Sequence, residues 1–209
     1  MAPRSLTWMN RPHTPVSRLA AAALRLAGWQ ILLAPPPGPK IVAVAAPHTS
    51  NADFWPGIFW RWATRSPARW IGKHSLFRPP VGWVLRWWGG IPVDRRRSGG
   101  NFVDAVVEII QASDEIMLTI APEGTRTRTE HWKTGFYYMA LEAGVPIGVT
   151  VMDWGRKRFG LVGYVQPTGD IEADFAALRE LLRGVQGHTP ENTSPVIPSP
   201  ASGGSQRQN

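Results

Sequence analysis

Six short runs rich in apolar and β-branched residues, at 41–46, 69–72, 91–94, 116–120, 146–152 and 159–165, recur along the chain. Several are separated by segments with helical periodicity. In 101–112, Phe102, Val106 and Ile109 fall at i, i+4 and i+7, while Asp104, Glu108 and Gln111 make a narrow polar stripe. Residues 134–143 form a second helical segment that stops before Gly144, a residue suited to a C-cap. Asp170 is placed to cap a last helix in which Ile171, Phe175, Leu178 and Leu182 repeat at the helical period. Strands alternating with helices predict an α/β domain with a central sheet flanked by helices. At 209 residues the chain is long enough for one such core. The reading is an N-terminal arm over 1–40, a domain over 41–185, and a tail over 186–209. The tail, rich in Gly, Pro, Ser, Asn and Gln, has too little apolar surface to order itself and is expected to be disordered.

No Cys is present, so thiolate nucleophiles, disulfides and thiolate metal sites are excluded. Lys and Arg number 23 against 15 Asp and Glu, a net charge of +8 that favours anionic partners. The excess is local: nine basic residues and one acid, Asp94, lie between Arg61 and Arg97, and seven of the 11 Trp lie between Trp55 and Trp88. Amphipathic rings beside cations suit a bilayer interface, and they equally suit a solvated basic surface over buried rings. No apolar run reaches the roughly 18 to 20 residues that span a bilayer. The longest candidate, 19–34, is interrupted by Arg25 and reads as an amphipathic helix. Arg18 and Arg25 share one face, and Ala20, Ala23, Leu24, Ala27 and Ile31 cover the other. Such a helix would lie in the membrane plane or pack on the domain's own core.

Two segments that directly follow strands carry chemistry. In Pro47-His48-Thr49-Ser50-Asn51-Ala52-Asp53, a continuous helix would set His48 and Asp53 about 140° apart, whereas a strand-to-helix turn lets them meet. A carboxylate beside an imidazole makes a general base. Asp53 is also spaced to serve as the capping partner of Ser50 at a helix start. The second segment, Ala121-Pro122-Glu123-Gly124-Thr125-Arg126, offers a glycine for close backbone approach and a guanidinium fork for phosphate. It is also compatible with an ordinary turn bearing a Glu/Arg pair.

The order H-x-x-x-x-D, then Gly90-Ile91-Pro92-Val93-Asp94-Arg95, then Pro122-Glu123-Gly124-Thr125-Arg126, then Val145-Pro146-Ile147, resembles the glycerolipid acyltransferase family, of which lysophosphatidic acid acyltransferases are typical. The shortness of the chain is similar to a compact bacterial branch of that family. The resemblance implies a mixed sheet flanked by helices and an O-acyltransferase of the 1-acylglycerol-3-phosphate type, working in phospholipid biosynthesis. The donor would be acyl-CoA or acyl carrier protein, and the acceptor a hydroxyl of a lysophospholipid or related molecule. His48 would be the general base and Asp53 its partner, while Glu123, Gly124, Thr125 and Arg126, with Arg95, would bind the acceptor and its phosphate. No cofactor and no metal are implied. An enzyme of this kind would sit peripherally on an anionic membrane, at its cytoplasmic face. Pro47-His48-Thr49-Ser50 departs from the family's frequent Asn-His-Gln-Ser, and Ala121 from its usual Phe. Rival readings are a Trp-rich nucleic-acid-binding module, which leaves the His/Asp pair without a purpose, a non-catalytic lipid binder of the same fold, and a hydrolase in which the base activates water.

Overall fold

The computed structural model describes residues 8–93 and 102–200. Its strands are β1 (Gln30–Leu33), β2 (Lys40–Ala46), β3 (Ala68–Lys73), β4 (Gly90–Val93), β5 (Ile116–Ile120), β6 (Ile147–Asp153) and β7 (Arg158–Val165). Its α-helices are α1 (Pro15–Leu26), α2 (Phe54–Thr64), α3 (Val81–Trp87), α4 (Phe102–Ala112), α5 (Gly135–Ala143) and α6 (Ile171–Leu181). All seven strands form one sheet in the order β1-β7-β6-β2-β5-β3-β4. Strands β2 to β6 run parallel, and β7 turns back antiparallel to β6 with β1 parallel beside it. The expected mixed sheet flanked by helices is therefore present.

The pleat of β2 divides the core. Val42, Val44 and Ala46 face one side, where Val106, Ile110, Phe136, Met139, Phe175 and Leu178 from α4, α5 and α6 close over them. Ile41 and Ala43 face the other side, against Ala20 and Leu24 of α1 and Trp60 and Ala63 of α2. Both faces are buried, which is why β2 reads as a continuous apolar run rather than an alternation.

Three expectations change. The helix expected over 19–34 starts earlier, at Pro15 behind the Thr14 cap, and ends at Leu26. Gln30–Leu33 is instead a strand paired with β7, so the presumed arm over 1–40 supplies an edge of the sheet. Ala20 and Leu24 lie in the core, and Val16, Leu19 and Leu26 remain outward at 57%, 72% and 91% exposure. The tail differs most. Residues 186–200 lie against the domain, with Gly187, Ser194 and Pro198 buried. Their partners include backbone, hydroxyl and guanidinium groups of the fold: the Trp154 N–H donates to the Gln186 carbonyl at 2.8 Å, the Trp132 N–H to Ile197 at 2.8 Å, and the Arg128 and Arg179 guanidinium groups to the Thr193 and Val196 carbonyls. A segment with no core of its own is thus ordered by the surface it crosses. Among the described residues no helix is long and apolar enough to cross a membrane.

Candidate active site

Because β2, β5 and β6 are adjacent and parallel, with Val44 opposite Ile120 and Ala46 opposite Val151, the segments that follow them emerge at one edge of the sheet. That edge is where open α/β sheets place ligands. It gathers His48 and Asp53 after β2, residues 121–126 after β5, and Trp154 after β6.

After β2 the chain turns through a single 3-10 turn, Asn51–Asp53, into α2. The two roles that the sequence offers Asp53 are both filled. Its Oδ2 accepts the Thr49 and Ser50 N–H groups, each at 2.9 Å, which closes the helix-start cap together with Ser50 Oγ accepting from Ala52. The same oxygen lies 3.1 Å from His48 Nδ1. Oδ1 accepts the Trp154 indole N–H at 2.7 Å. The Asp53 side chain is fully buried and that of His48 is 23% exposed. Burial alone would raise the Asp53 carboxyl; the bonds from His48, the Ser50 N–H and Trp154 outweigh it and hold the group below its ordinary value, hence ionised. Nδ1 faces Asp53, so Nε2 is the ring nitrogen left to take a proton from a substrate.

Glu123 joins the two motif loops. Its Oε1 accepts the His48 backbone N–H at 3.1 Å across 75 residues of sequence, and Oε2 has no hydrogen-bond partner among the described residues. Desolvation pushes its carboxyl up to about 7, against smaller opposing effects from its hydrogen bonds and from His48. Glu123 is thus buried against the loop that bears His48, whereas Gly124, Thr125 and Arg126 stand exposed. Gly124 has φ +68°, and a Cβ there would stand 2.6 Å from Lys133 Nζ, so a second cation lies over the turn. Arg95 lies outside the described residues. Among the described residues no group of three or more His, Asp or Glu is arranged to hold a metal.

Sequence reasoning missed three neighbours of the His48 and Glu123 loops. Trp154 is an isolated aromatic residue in a hairpin, 101 residues from the carboxylate it touches. Lys133 follows no motif. The C-terminal segment packs on the loop that bears His48: the Thr189 N–H donates to Thr49 Oγ1 at 3.1 Å, and Gly187 fits against Thr49 and Pro47.

The crystal structure of the 1-acyl-sn-glycerophosphate (LPA) acyltransferase PlsC from Thermotoga maritima resembles this fold with a TM-score of 0.54 at 18% identity, over 81% of this chain and 76% of that one. No curated protein sequence matches. The family model described as Acyltransferase matches residues 35–152, more than half of the chain, and takes in the His48–Asp53 pair, the Glu123 loop and the sheet edge that joins them. By that match, the chain belongs to the Acyltransferase family.

Proposed function

We propose that the protein transfers a fatty acyl group from a thioester donor, acyl-CoA or acyl carrier protein, to a hydroxyl of a lysophospholipid or glycerol-phosphate acceptor. The observation that carries this reading is the contact between His48 Nδ1 and the buried Asp53 carboxylate, at 3.1 Å, beside a loop that bears Arg126. His48 Nε2 removes the acceptor's hydroxyl proton as its oxygen attacks the thioester carbonyl. The tetrahedral adduct then expels the thiolate, which takes the proton from the imidazolium. The product is an ester plus a free thiol, and no enzyme nucleophile is consumed. Asp53 keeps the imidazole in the tautomer whose Nε2 is basic and stabilises the imidazolium as it forms. Glu123 fixes the His48 backbone, and Arg126, Lys133 and Arg95 supply positive charge for the acceptor's phosphate. The Thermotoga relative is described as an LPA acyltransferase, and an acceptor of that class suits these cations.

The same reading assigns the protein to the surface of an anionic bilayer. Val81, Trp83, Val84 and Trp87 of α3 and Leu76 before it are 43% to 68% exposed. Trp55, two residues after Asp53, is 56% exposed and its ring lies 6.2 Å from that of Trp88, so apolar surface continues from α3 to the catalytic loop. Arg78 and Arg86 are exposed within it, and no acid occurs in the sequence between Asp53 and Asp94. Indole rings and cations together are the composition that seats at lipid headgroups.

Purified protein incubated with a panel of acyl-CoA and acyl carrier protein donors and lysophospholipid acceptors, with products identified by mass, tests the assignment. An ester of the acceptor supports it. Free fatty acid as the sole product in the presence of acceptor would instead identify a thioester hydrolase.

A further inference from the structure

We propose that Trp154 is the third member of the catalytic group, a positioning residue that holds Asp53 in place for His48, and that the C-terminal segment 186–189 holds Trp154. The proposal rests on the reading of His48 as base.

Three of the four donors to the Asp53 carboxylate, His48 Nδ1 and the Thr49 and Ser50 N–H groups, meet the single oxygen Oδ2. Oδ1 receives the Trp154 indole N–H at 2.7 Å. That bond fixes the rotation of the carboxyl group about its Cβ–Cγ axis and so keeps Oδ2 directed at His48. The indole is itself fixed from several directions. The Trp29 ring meets it edge-on at 4.9 Å and the His188 ring at 4.5 Å, and Lys157 Nζ lies 4.8 Å from its centroid. Its backbone N–H donates to Gln186, and two residues beyond Gly187 the Thr189 N–H donates to the catalytic loop at Thr49. Residues 186–189 therefore touch both Trp154 and the loop that bears His48. Trp154 and this segment lie outside the matched family region, 35–152.

Removing the indole donor leaves a buried carboxylate oxygen without a partner, which raises the proton affinity of Asp53. Among the described residues, the ionisable groups facing the pair are Glu123 on the His48 backbone, His188 against the indole, and Lys157 over it.

The test is Trp154→Phe, which keeps an aromatic ring and deletes the donor. We expect kcat to fall roughly ten- to a hundredfold, the range that a hydrogen bond to a charged group is worth, with KM for both substrates unchanged. The acid limb of the kcat/KM profile moves to higher pH. The Asp53 carboxyl, followed by carbon NMR and assigned with Asp53→Asn, moves in the same direction; this readout needs no turnover and so stands even if the acyltransferase reading fails. Wild-type kcat with unmoved titrations would overturn the proposal. So would a loss of kcat with unmoved titrations, since that marks packing alone. Should the Phe variant not fold, β-(3-benzothienyl)alanine at position 154, whose sulfur replaces the ring N–H in the same outline, decides the matter by the same readouts.

Discussion

Replacing Glu123 by Gln preserves the outline of the side chain, and its amide oxygen can still accept the His48 N–H, but it deletes the ionisation. In the folded protein this carboxyl titrates at about 7 because burial disfavours its charge, against an ordinary value of 4.5. Folding therefore holds a proton that the unfolded chain has released between those two values. The stability associated with the protonated form is fully present below about pH 4.5 and is lost as pH rises through 7. The interval of about 2.5 pH units corresponds to roughly 3 kcal/mol. Gln stays neutral throughout and mimics the protonated form, including its unpartnered group at the Oε2 position. Urea unfolding at about pH 4 and about pH 8.5 should give nearly equal stabilities for the two proteins at the lower value, with the variant ahead by roughly 3 kcal/mol at the higher. A difference that stays flat across this interval, or one that favours the wild type as pH rises, would refute the claim that Glu123 is buried without a compensating charge.

Arg126 stands exposed on the loop that follows β5, so Arg126→Ala should raise KM for a phosphate-bearing acceptor and leave the donor's KM unchanged, with Lys restoring it only in part because it lacks the planar fork. Steady-state kinetics with each substrate varied in turn decides this. Gly187→Ala would place a Cβ 2.7 Å from Thr49 Oγ1 and 2.8 Å from Thr49 Cγ2, forcing the loop that bears His48 aside. Turnover should fall about tenfold or more while the protein still unfolds cooperatively. Trp83→Ser combined with Val81→Ser removes side chains that are 68% and 58% exposed, so co-sedimentation with anionic vesicles should weaken while thermal stability is retained. Binding by the unchanged protein should also weaken with salt, as the Debye length falls from about 10 Å at 0.1 M to about 3 Å at 1 M.

Much of the sheet was legible because buried strands advertise themselves. Ile116–Ile120 is bounded as expected, and β2, β3, β4, β6 and β7 differ from expectation by a residue or so at their ends. β1 was not legible. Its Gln30–Leu33 continues an apolar stretch begun by α1, and only its pairing with β7, more than 120 residues away, separates strand from helix. α3 was hidden for the opposite reason: its apolar side chains face outward, so it shows no polar stripe by which a surface helix is recognised. At the site, the meeting of His48 with Asp53 was legible from their spacing and from the motif order. The choice between partner and cap for Asp53 was a false alternative, since one carboxylate oxygen serves both His48 and the helix-start N–H groups. Trp154 and residues 186–189 had no local signal, because their meaning comes from contacts with a loop more than 100 residues earlier.

The proposed chemistry rests on His48 as the base in transfer between a thioester and a hydroxyl. Its most direct test counts thiol released and ester formed in the same reaction, for the wild type and for His48→Ala, with one active donor and acceptor pair. Equal amounts of thiol and ester are expected from the wild type, and both rates should drop about 10² to 10⁴-fold in the variant while its unfolding transition is retained. Ester formation by folded His48→Ala at close to the wild-type rate would contradict the account.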